Sequence, residues 1–246
     1  MSDVRLHNAI MCGDVMETVK MVKRGCDVNA LSEDGWTPLC CAAWTGNGII
    51  IAYLIRFGAD INKASQSGWA PLHFAARHGH VQIVSSFLEN ASTNVDQKDN
   101  SGRTPLIIAT QVRDKDIVIK LLTSGKAGID AIDSLGRSAL SLALTDAQHC
   151  LVEVLVEYGA DILASGDSLL SLAARCGDQR ILELITRTFR NQATQNRFLA
   201  TAILLRPLNL PVLTVYEICC AENRHFGTLV SRHKAWQILS AIKHAQ

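Results

Sequence analysis

The stretch Gly35-Trp36-Thr37-Pro38-Leu39 returns as Gly68-Trp69-Ala70-Pro71-Leu72, with the two prolines 33 residues apart. Each copy runs on into a pair of small residues, Ala42-Ala43 and Ala75-Ala76, and then into a second apolar segment. A fixed period of this size indicates a stacked array of repeats and argues against a fold with a single core.

The leucine of this stretch marks the same period along most of the chain. The steps between equivalent leucines are 33, 33, 34, 34 and 30 residues, and the leucines are Leu6, Leu39, Leu72, Leu106, Leu140 and Leu170. Small residues follow each leucine, then a turn that often contains glycine, and then a second apolar helix such as residues 81–88. The spacing therefore predicts about six helical units.

The other landmarks of the unit have clear physical roles. Proline suits the first turn of a helix, where its missing N–H is not needed. Thr37 and Thr104 precede such prolines and can cap the helix with a side-chain oxygen. The pairs Asp34-Gly35 and Ser67-Gly68 favour tight turns between helical pairs. The glycine after each second helix favours a left-handed helix end.

Together, the period, the proline, the alanine pair and the Gly58-Ala59-Asp60 tail resemble the ankyrin repeat. The resemblance implies an all-α ankyrin-repeat solenoid, in which each unit has a β-turn finger and two antiparallel helices. It covers about six repeats over residues 5–186, of which the first and last are atypical. We expect an ankyrin-repeat domain over 1–189 and a basic C-terminal helical extension over 190–246, which resembles no family that we can assign.

Individual repeats depart from the pattern. Repeat four has Arg113-Asp114 in place of the glycine between its two helices, and repeat five has Ser138-Ala139-Leu140 without a proline. In repeat six only 9 residues separate Asp161 from Leu170, where 12 separate Asp60 from Leu72. The row of fingers is therefore expected to stop after repeat five.

Charge is distributed unevenly along the chain. The formal net charge of the whole chain is +1, but residues 1–186 carry 16 Lys or Arg against 21 Asp or Glu, and residues 187–246 carry 8 against 2. The eight cysteines include the adjacent pairs Cys40-Cys41 and Cys219-Cys220, which favour reduced, buried thiols. With no signal peptide expected and no apolar run of about 18 residues, we expect an intracellular protein without membrane insertion.

No pattern of residues predicts catalysis or a cofactor. The chain has no glycine-rich phosphate loop with its lysine and no His-Glu-x-x-His zinc motif. Cys219, Cys220, His225 and His233 could be drawn as a zinc set, but adjacent cysteines do not match the usual ligand spacing. We therefore expect neither an enzyme nor a metal or cofactor site.

The resemblance also implies where a partner would bind, because ankyrin repeats use their concave face of finger tips and inner-helix ends. Carried over to this chain, the expected partner-binding residues are Trp36, Trp44, Trp69, Arg77, His78, Arg103, Gln111 and Arg137. Tryptophan and arginine are over-represented at binding hot spots. Leu31, Ile132 and Leu135 add apolar side chains to the line of fingers.

Some of these positions have a purely structural alternative. Trp36 and Trp69 follow a finger glycine and can either pack against the neighbouring finger or contact a partner, whereas contact is favoured for Trp44. The resemblance implies that His73 bonds to the backbone of a neighbouring finger, and that His80 is a structural turn residue.

The predicted function is that of a non-enzymatic protein–protein interaction module, an adaptor or scaffold that binds a protein or peptide. One alternative is a substrate-recruiting or regulatory subunit of an enzyme complex such as a ubiquitin ligase, with residues 190–246 docking the enzyme. Another is nucleic-acid binding by that basic extension, since residues 184–216 contain four arginines and no acidic residue. Nucleic acid is the less favoured partner, because charge alone is weak evidence.

Overall fold

The computed structural model describes residues 2–162, residue 172 and residues 178–193. The chain divides into two compact units, residues 1–139 and 140–246. The predicted first helix of repeat six around Leu170, its Gly177, the Cys219, Cys220, His225 and His233 set and most of the C-terminal extension lie outside the described residues.

Eleven helices and no β-strand are present in the described ranges, which confirms the predicted all-α repeat fold. Repeats one to five contribute five pairs of short helices. The helices are α1 (Ser2–Met11), α2 (Val15–Lys23), α3 (Pro38–Thr45), α4 (Gly48–Arg56), α5 (Pro71–Arg77), α6 (Val81–Glu89), α7 (Pro105–Gln111), α8 (Lys115–Thr123), α9 (Ala139–Thr145), α10 (His149–Glu157) and α11 (Gln179–Ala193).

The helices begin where the sequence predicts. Pro38, Pro71 and Pro105 each occupy the first turn of an inner helix. The Thr37 and Thr104 side chains accept hydrogen bonds from the amides of Cys40 (3.1 Å) and Ile107 (3.4 Å), so both predicted caps are confirmed.

The core of the first unit lies between two layers of helices. The inner helices α1, α3, α5 and α7 contact one another in chain order, and each packs on the outer helix of its own repeat. The marker leucines Leu6, Leu39, Leu72 and Leu106 are buried there. Leu140, the first residue of the second unit, is also a buried residue. The alanine pairs 42–43 and 75–76 are also buried, because only small side chains allow the helices such a close approach.

Each finger is a tight hairpin closed by a hydrogen bond between residues four apart. The amide of Ser32 donates to the carbonyl oxygen of Trp36 (2.8 Å), and Ser65, Asp99 and Asp133 repeat this bond in the next three fingers. Successive fingers are joined by single backbone bonds, from Gln66 to Gly35, from Asn100 to Ser67 and from Ser134 to Ser101. At Gly102 the approach is so close that a Cβ would lie 2.7 Å from the Ser134 nitrogen.

Asparagines in the tails that follow the outer helices bridge consecutive repeats. The Asn62 side chain donates to the Ser92 carbonyl oxygen (2.7 Å) and accepts from the Asn94 amide (2.8 Å). Asn29 makes the equivalent pair of bonds, to Gly58 and from Asp60. The tail of each repeat therefore holds the next one in register.

In the second unit, α10 packs against α11. Leu151 and Leu155 of α10 are buried, as are Ile181 and Ile185 of α11. Nε2 of His149 lies 2.9 Å from a carboxylate oxygen of Asp178, just before α11 begins. Since α11 continues to Ala193, the domain boundary predicted at residue 189 falls within this helix.

Candidate binding surface

Three tryptophans meet around the buried side chain of Phe74, where repeats two and three adjoin. The Phe74 ring centroid lies 4.7 Å from that of Trp36, 5.1 Å from that of Trp69 and 6.2 Å from that of Trp44. The centroids of Trp36 and Trp44 are 5.1 Å apart. We call Trp36, Trp44, Trp69 and His78, with Phe74 beneath them, the aromatic surface.

The repeat period brings these rings together. Trp36 and Trp69 occupy the same position in successive fingers, while Trp44 is the second-last residue of α3 and Phe74 lies in the middle of α5. Trp44 remains 38% exposed, whereas Trp36 and Trp69 are half-buried. Both finger tryptophans therefore pack within the fold and still present part of their rings to solvent.

His78 extends the aromatic surface as a neutral ring. Its centroid lies 3.9 Å from that of Trp44, and its Nε2 is buried without a hydrogen-bond partner. Burial lowers the pKa of His78, and the nearby His80 and Arg77 lower it further. Two residues on, Nε2 of His80 donates to the Trp44 carbonyl oxygen (3.0 Å), which agrees with the structural role expected for His80.

The expectation for His73 is confirmed. Its Nδ1 accepts from the Ala70 amide (3.1 Å), so its Nε2 carries the proton and donates to the carbonyl oxygen of Arg103 in the next finger (3.1 Å). Burial lowers the pKa of His73 despite this backbone bond.

The side chain after the marker leucine makes the same type of bond in earlier repeats. His7 reaches the Trp36 carbonyl oxygen (2.9 Å), and Sγ of Cys40 reaches that of Trp69 (3.5 Å). Sequence reasoning recognised this role only for His73. The signal for the other two was their identical place after Leu6 and Leu39.

Arg103 and Arg137, both expected to contact a partner, are held by carboxylates of their own fingers. Nη2 of Arg103 lies 2.7 Å from Asp99, and Nη2 of Arg137 lies 2.7 Å from Asp133. The two aspartate side chains are only 1% exposed. Arg103 also lies over Trp69, with its Cζ 5.4 Å from the ring centroid, and so borders the aromatic surface.

Asp99 and Asp133 were missed by sequence reasoning. Each carboxylate also accepts the amides of residues two and four positions later, so it caps the finger turn as well as pairing with arginine. The available signal was that serine stands four residues before each finger tryptophan, and aspartate four residues before each finger arginine.

Arg77 and Gln111 end two successive inner helices. Arg77 is exposed beside His78 and makes no ion pair within the described part of the chain. Gln111 is half-buried at the end of α7. Among the described residues, no ring contact or hydrogen bond joins Gln111 or Arg137 to the aromatic surface. The apolar finger residues Leu31, Ile132 and Leu135 are exposed, as expected.

The described ranges hold no cluster of metal ligands, and the two cysteines of α3 are buried thiols. No group of three or more His, Cys, Asp or Glu side chains could hold a metal ion there. Burial raises the pKa of Cys40 to about 11 and that of Cys41 to about 12, which keeps both thiols protonated. None of the described helices is long and apolar enough to cross a membrane.

A comparison with protein-family models matches ankyrin repeats in three overlapping copies, at residues 6–99, 50–133 and 86–166. A search of curated proteins gives no significant match. Ankyrin repeats generally serve as protein–protein interaction modules, and proteins built from them are typically non-enzymatic. Since the matched copies span residues 6–166 and carry the predicted finger, proline and helix pair, the chain belongs to the ankyrin-repeat family.

Proposed function

We propose that the chain is a non-enzymatic adaptor or scaffold that holds a protein or peptide partner on the aromatic surface. Trp44 carries this proposal. It is more than a third exposed although it is tryptophan, and its neighbours Trp36, Phe74 and His78 fix its ring in place. Clustered tryptophans of this kind are typical of binding hot spots.

The packing around Trp44 supports binding by a preformed surface. The rings rest on a buried phenylalanine, and backbone hydrogen bonds join the fingers on either side. Ordering an interface side chain on binding is estimated to cost about 0.5–1.5 kcal/mol. A surface that is already ordered in the free protein avoids much of this cost.

The two alternatives drawn from the sequence both use residues 190–246. Residues 194–246 lie outside the described residues, so neither the docking of an enzyme complex nor nucleic-acid binding by this extension gains support from the structure. Both stay predictions.

The proposal is tested by affinity capture with the full chain from the cells that express it, followed by mass spectrometry. Trp44→Ala should lower the capture of the specific partner by about tenfold or more. Ile49→Ala is the matched control, because it removes an exposed apolar side chain from the outer helix α4. The control should capture as much as the wild type.

Because Trp44 also packs on three rings, the melting midpoint of each variant is measured alongside. Arg77→Ala provides a second test, since this exposed side chain has no hydrogen bond or ion pair within the described residues whose loss would disturb the fold. If both variants remain folded and capture as much partner as the wild type, the interface does not lie on the aromatic surface.

A further inference from the structure

We infer that the segment recognised by the aromatic surface is an acidic peptide, whose bulky apolar side chain lies on Trp44 and whose Asp or Glu residues face Arg77. This inference rests on the function proposed above and specifies the chemistry of the partner. It follows from the position of Arg77, an arginine without an ion pair among the described residues, next to the exposed apolar surface at Trp44.

The apolar requirement comes from the rings themselves. Trp36, Trp44 and Phe74 have centroids 4.7 to 6.2 Å apart, so the rings pack against one another and leave a continuous apolar patch at the level of Trp44. The adjacent His78 ring, whose centroid lies 3.9 Å from that of Trp44, extends this group of rings. Such a patch accepts an aliphatic or aromatic side chain.

The charge requirement comes from Arg77. Arg103 is neutralised by Asp99 in its own finger, whereas Arg77 has no ion pair within the described residues. The C-terminal end of α5 therefore presents, next to His78, a positive charge that no ion pair among the described residues offsets.

The finger of repeat two opposes this charge. Glu33 and Asp34 are exposed in that finger, which also contributes Trp36 to the aromatic surface. The carboxylates of the peptide are therefore expected to lie on the Arg77 side and away from the finger of repeat two.

A single-stranded nucleic acid is disfavoured by the same geometry. Such ligands need successive exposed ring faces on which bases stack, together with a continuous track of cations. Here the rings of Trp36, Trp44 and Phe74 pack at interplanar angles of 47 to 63°. Of the three tryptophans only Trp44 is more than a third exposed, and the unpaired charge beside them is that of a single arginine, Arg77.

The test measures binding of three matched sets of synthetic peptides to the full chain. The sets place a central leucine or phenylalanine among Asp and Glu, among Ser and Gln, or among Lys and Arg. Intrinsic fluorescence serves as the readout, since three of the four tryptophans in the chain belong to the aromatic surface. A single-stranded oligonucleotide is included as a competitor.

The acidic set should bind most tightly. Arg77→Ala should weaken it about threefold to fivefold at low salt, and this effect should shrink as salt is added. Arg77→Glu should move the preference toward the basic set. Arg56→Ala, which removes an exposed arginine at the end of the outer helix α4, is the matched control and should leave affinity unchanged.

Equal affinity for the three sets, competition by the oligonucleotide or failure of the acidic set to bind would each overturn the inference. These results differ from failure of the proposed function, in which cellular capture is insensitive to Trp44 as well. If cellular capture depends on Trp44 but the three peptide sets bind equally well, the adaptor function is supported and the acidic nature of the partner is contradicted.

Discussion

The residue after the finger glycine is tryptophan in repeats two and three and arginine in repeats four and five. The residue four positions earlier changes with it, from serine before each tryptophan to aspartate before each arginine. The hydroxyl oxygen of Ser65 accepts the backbone amide of Trp69 and also bonds to the Ser67 hydroxyl, which leaves the indole to pack on Phe74. The carboxylate of Asp99 accepts the backbone amide and also the guanidinium of Arg103. Serine therefore leaves the tryptophan ring available at the surface, whereas aspartate pairs with the arginine of its own finger.

Ala147 provides a test of backbone strain at the residue scale. The turn between α9 and α10 holds it at φ 53°; the first three turns of this kind use glycine, at Gly13, Gly46 and Gly79, and the turn between α7 and α8 holds Arg113 at φ 63°. A left-handed conformation costs a non-glycine residue about 1–2 kcal/mol in the folded state. Glycine removes this strain, but it also gives the unfolded chain more conformational entropy, which offsets part of the gain in stability. We expect Ala147→Gly to raise the free energy of unfolding by about 0.5–1 kcal/mol.

The measurement is urea unfolding followed by circular dichroism, with Ala52→Gly as the matched control. Ala52 is exposed in the interior of α4, so the same substitution should lower the free energy of unfolding there by about 1 kcal/mol. If both substitutions destabilise the protein equally, the positive φ at Ala147 carries no strain.

At the scale of the element, the finger is a small hydrogen-bonded unit that depends on its first residue. In repeat four, Asp99 accepts the amides of Ser101 and Arg103 and pairs with the Arg103 guanidinium. Neighbouring fingers share one bond between backbone atoms, such as that from Asn100 to Ser67, and further bonds from side chains, such as that from Asn100 Nδ2 to the Gln66 carbonyl oxygen. The conformation of a finger therefore depends on its first residue as well as on its neighbours.

Asp99→Asn keeps an oxygen for the two amides and removes the charge that pairs with Arg103. We expect a loss of about 1–2 kcal/mol of unfolding free energy at pH 7. Burial raises the pKa of the Asp99 carboxyl, but hydrogen bonds and charge from Arg103 outweigh it, so the pKa lies below its ordinary value of 3.8. The stabilisation is thus complete above pH 4 and is lost as pH falls through the lowered pKa.

Equilibrium unfolding at several pH values between 7 and 3 checks this expectation. The difference in the free energy of unfolding between the wild type and Asp99→Asn should become smaller toward pH 3, because the asparagine does not titrate. Asp34→Asn serves as the control, since it alters an exposed carboxylate of another finger. If the difference in the free energy of unfolding stays constant with pH, the ion pair does not stabilise the finger.

At the scale of the whole molecule, the cysteines report whether the repeats stay together. Cys40 and Cys41 are buried in α3, and Sγ of Cys40 reaches the carbonyl oxygen of Trp69 in the next repeat. Cys12 and Cys150 are exposed. The pair in α3 becomes accessible only when the helices around it separate.

We expect a thiol reagent at neutral pH to modify Cys12 and Cys150 rapidly and to leave Cys40 and Cys41 unmodified until denaturant is added. Reactivity requires the thiolate, and burial raises the pKa of Cys40 to about 11 and of Cys41 to about 12. Peptide mass spectrometry assigns each modification to its cysteine. Modification of Cys40 at the rate of Cys12 in native protein would contradict the described packing.

The repeat architecture could be predicted from the amino-acid sequence, because each landmark acts locally. Proline at the first turn, threonine at the cap and glycine at positive φ specify helix ends within one unit, and the period of 33 or 34 residues places the marker leucines in one core. The exposure of Leu31, Ile132 and Leu135 and the backbone bond of His73 also followed from position in the repeat.

The ion pairs of Arg103 and Arg137 lie within single fingers, at a spacing of four residues that is visible in the sequence. The contacts between the tryptophans, in contrast, depend on the tertiary structure, because Trp36, Trp44 and Trp69 converge on Phe74 from two successive repeats. A repeat pattern gives the place of a residue within its unit, but not the distance between side chains of stacked units. That distance depends on how closely the helices approach.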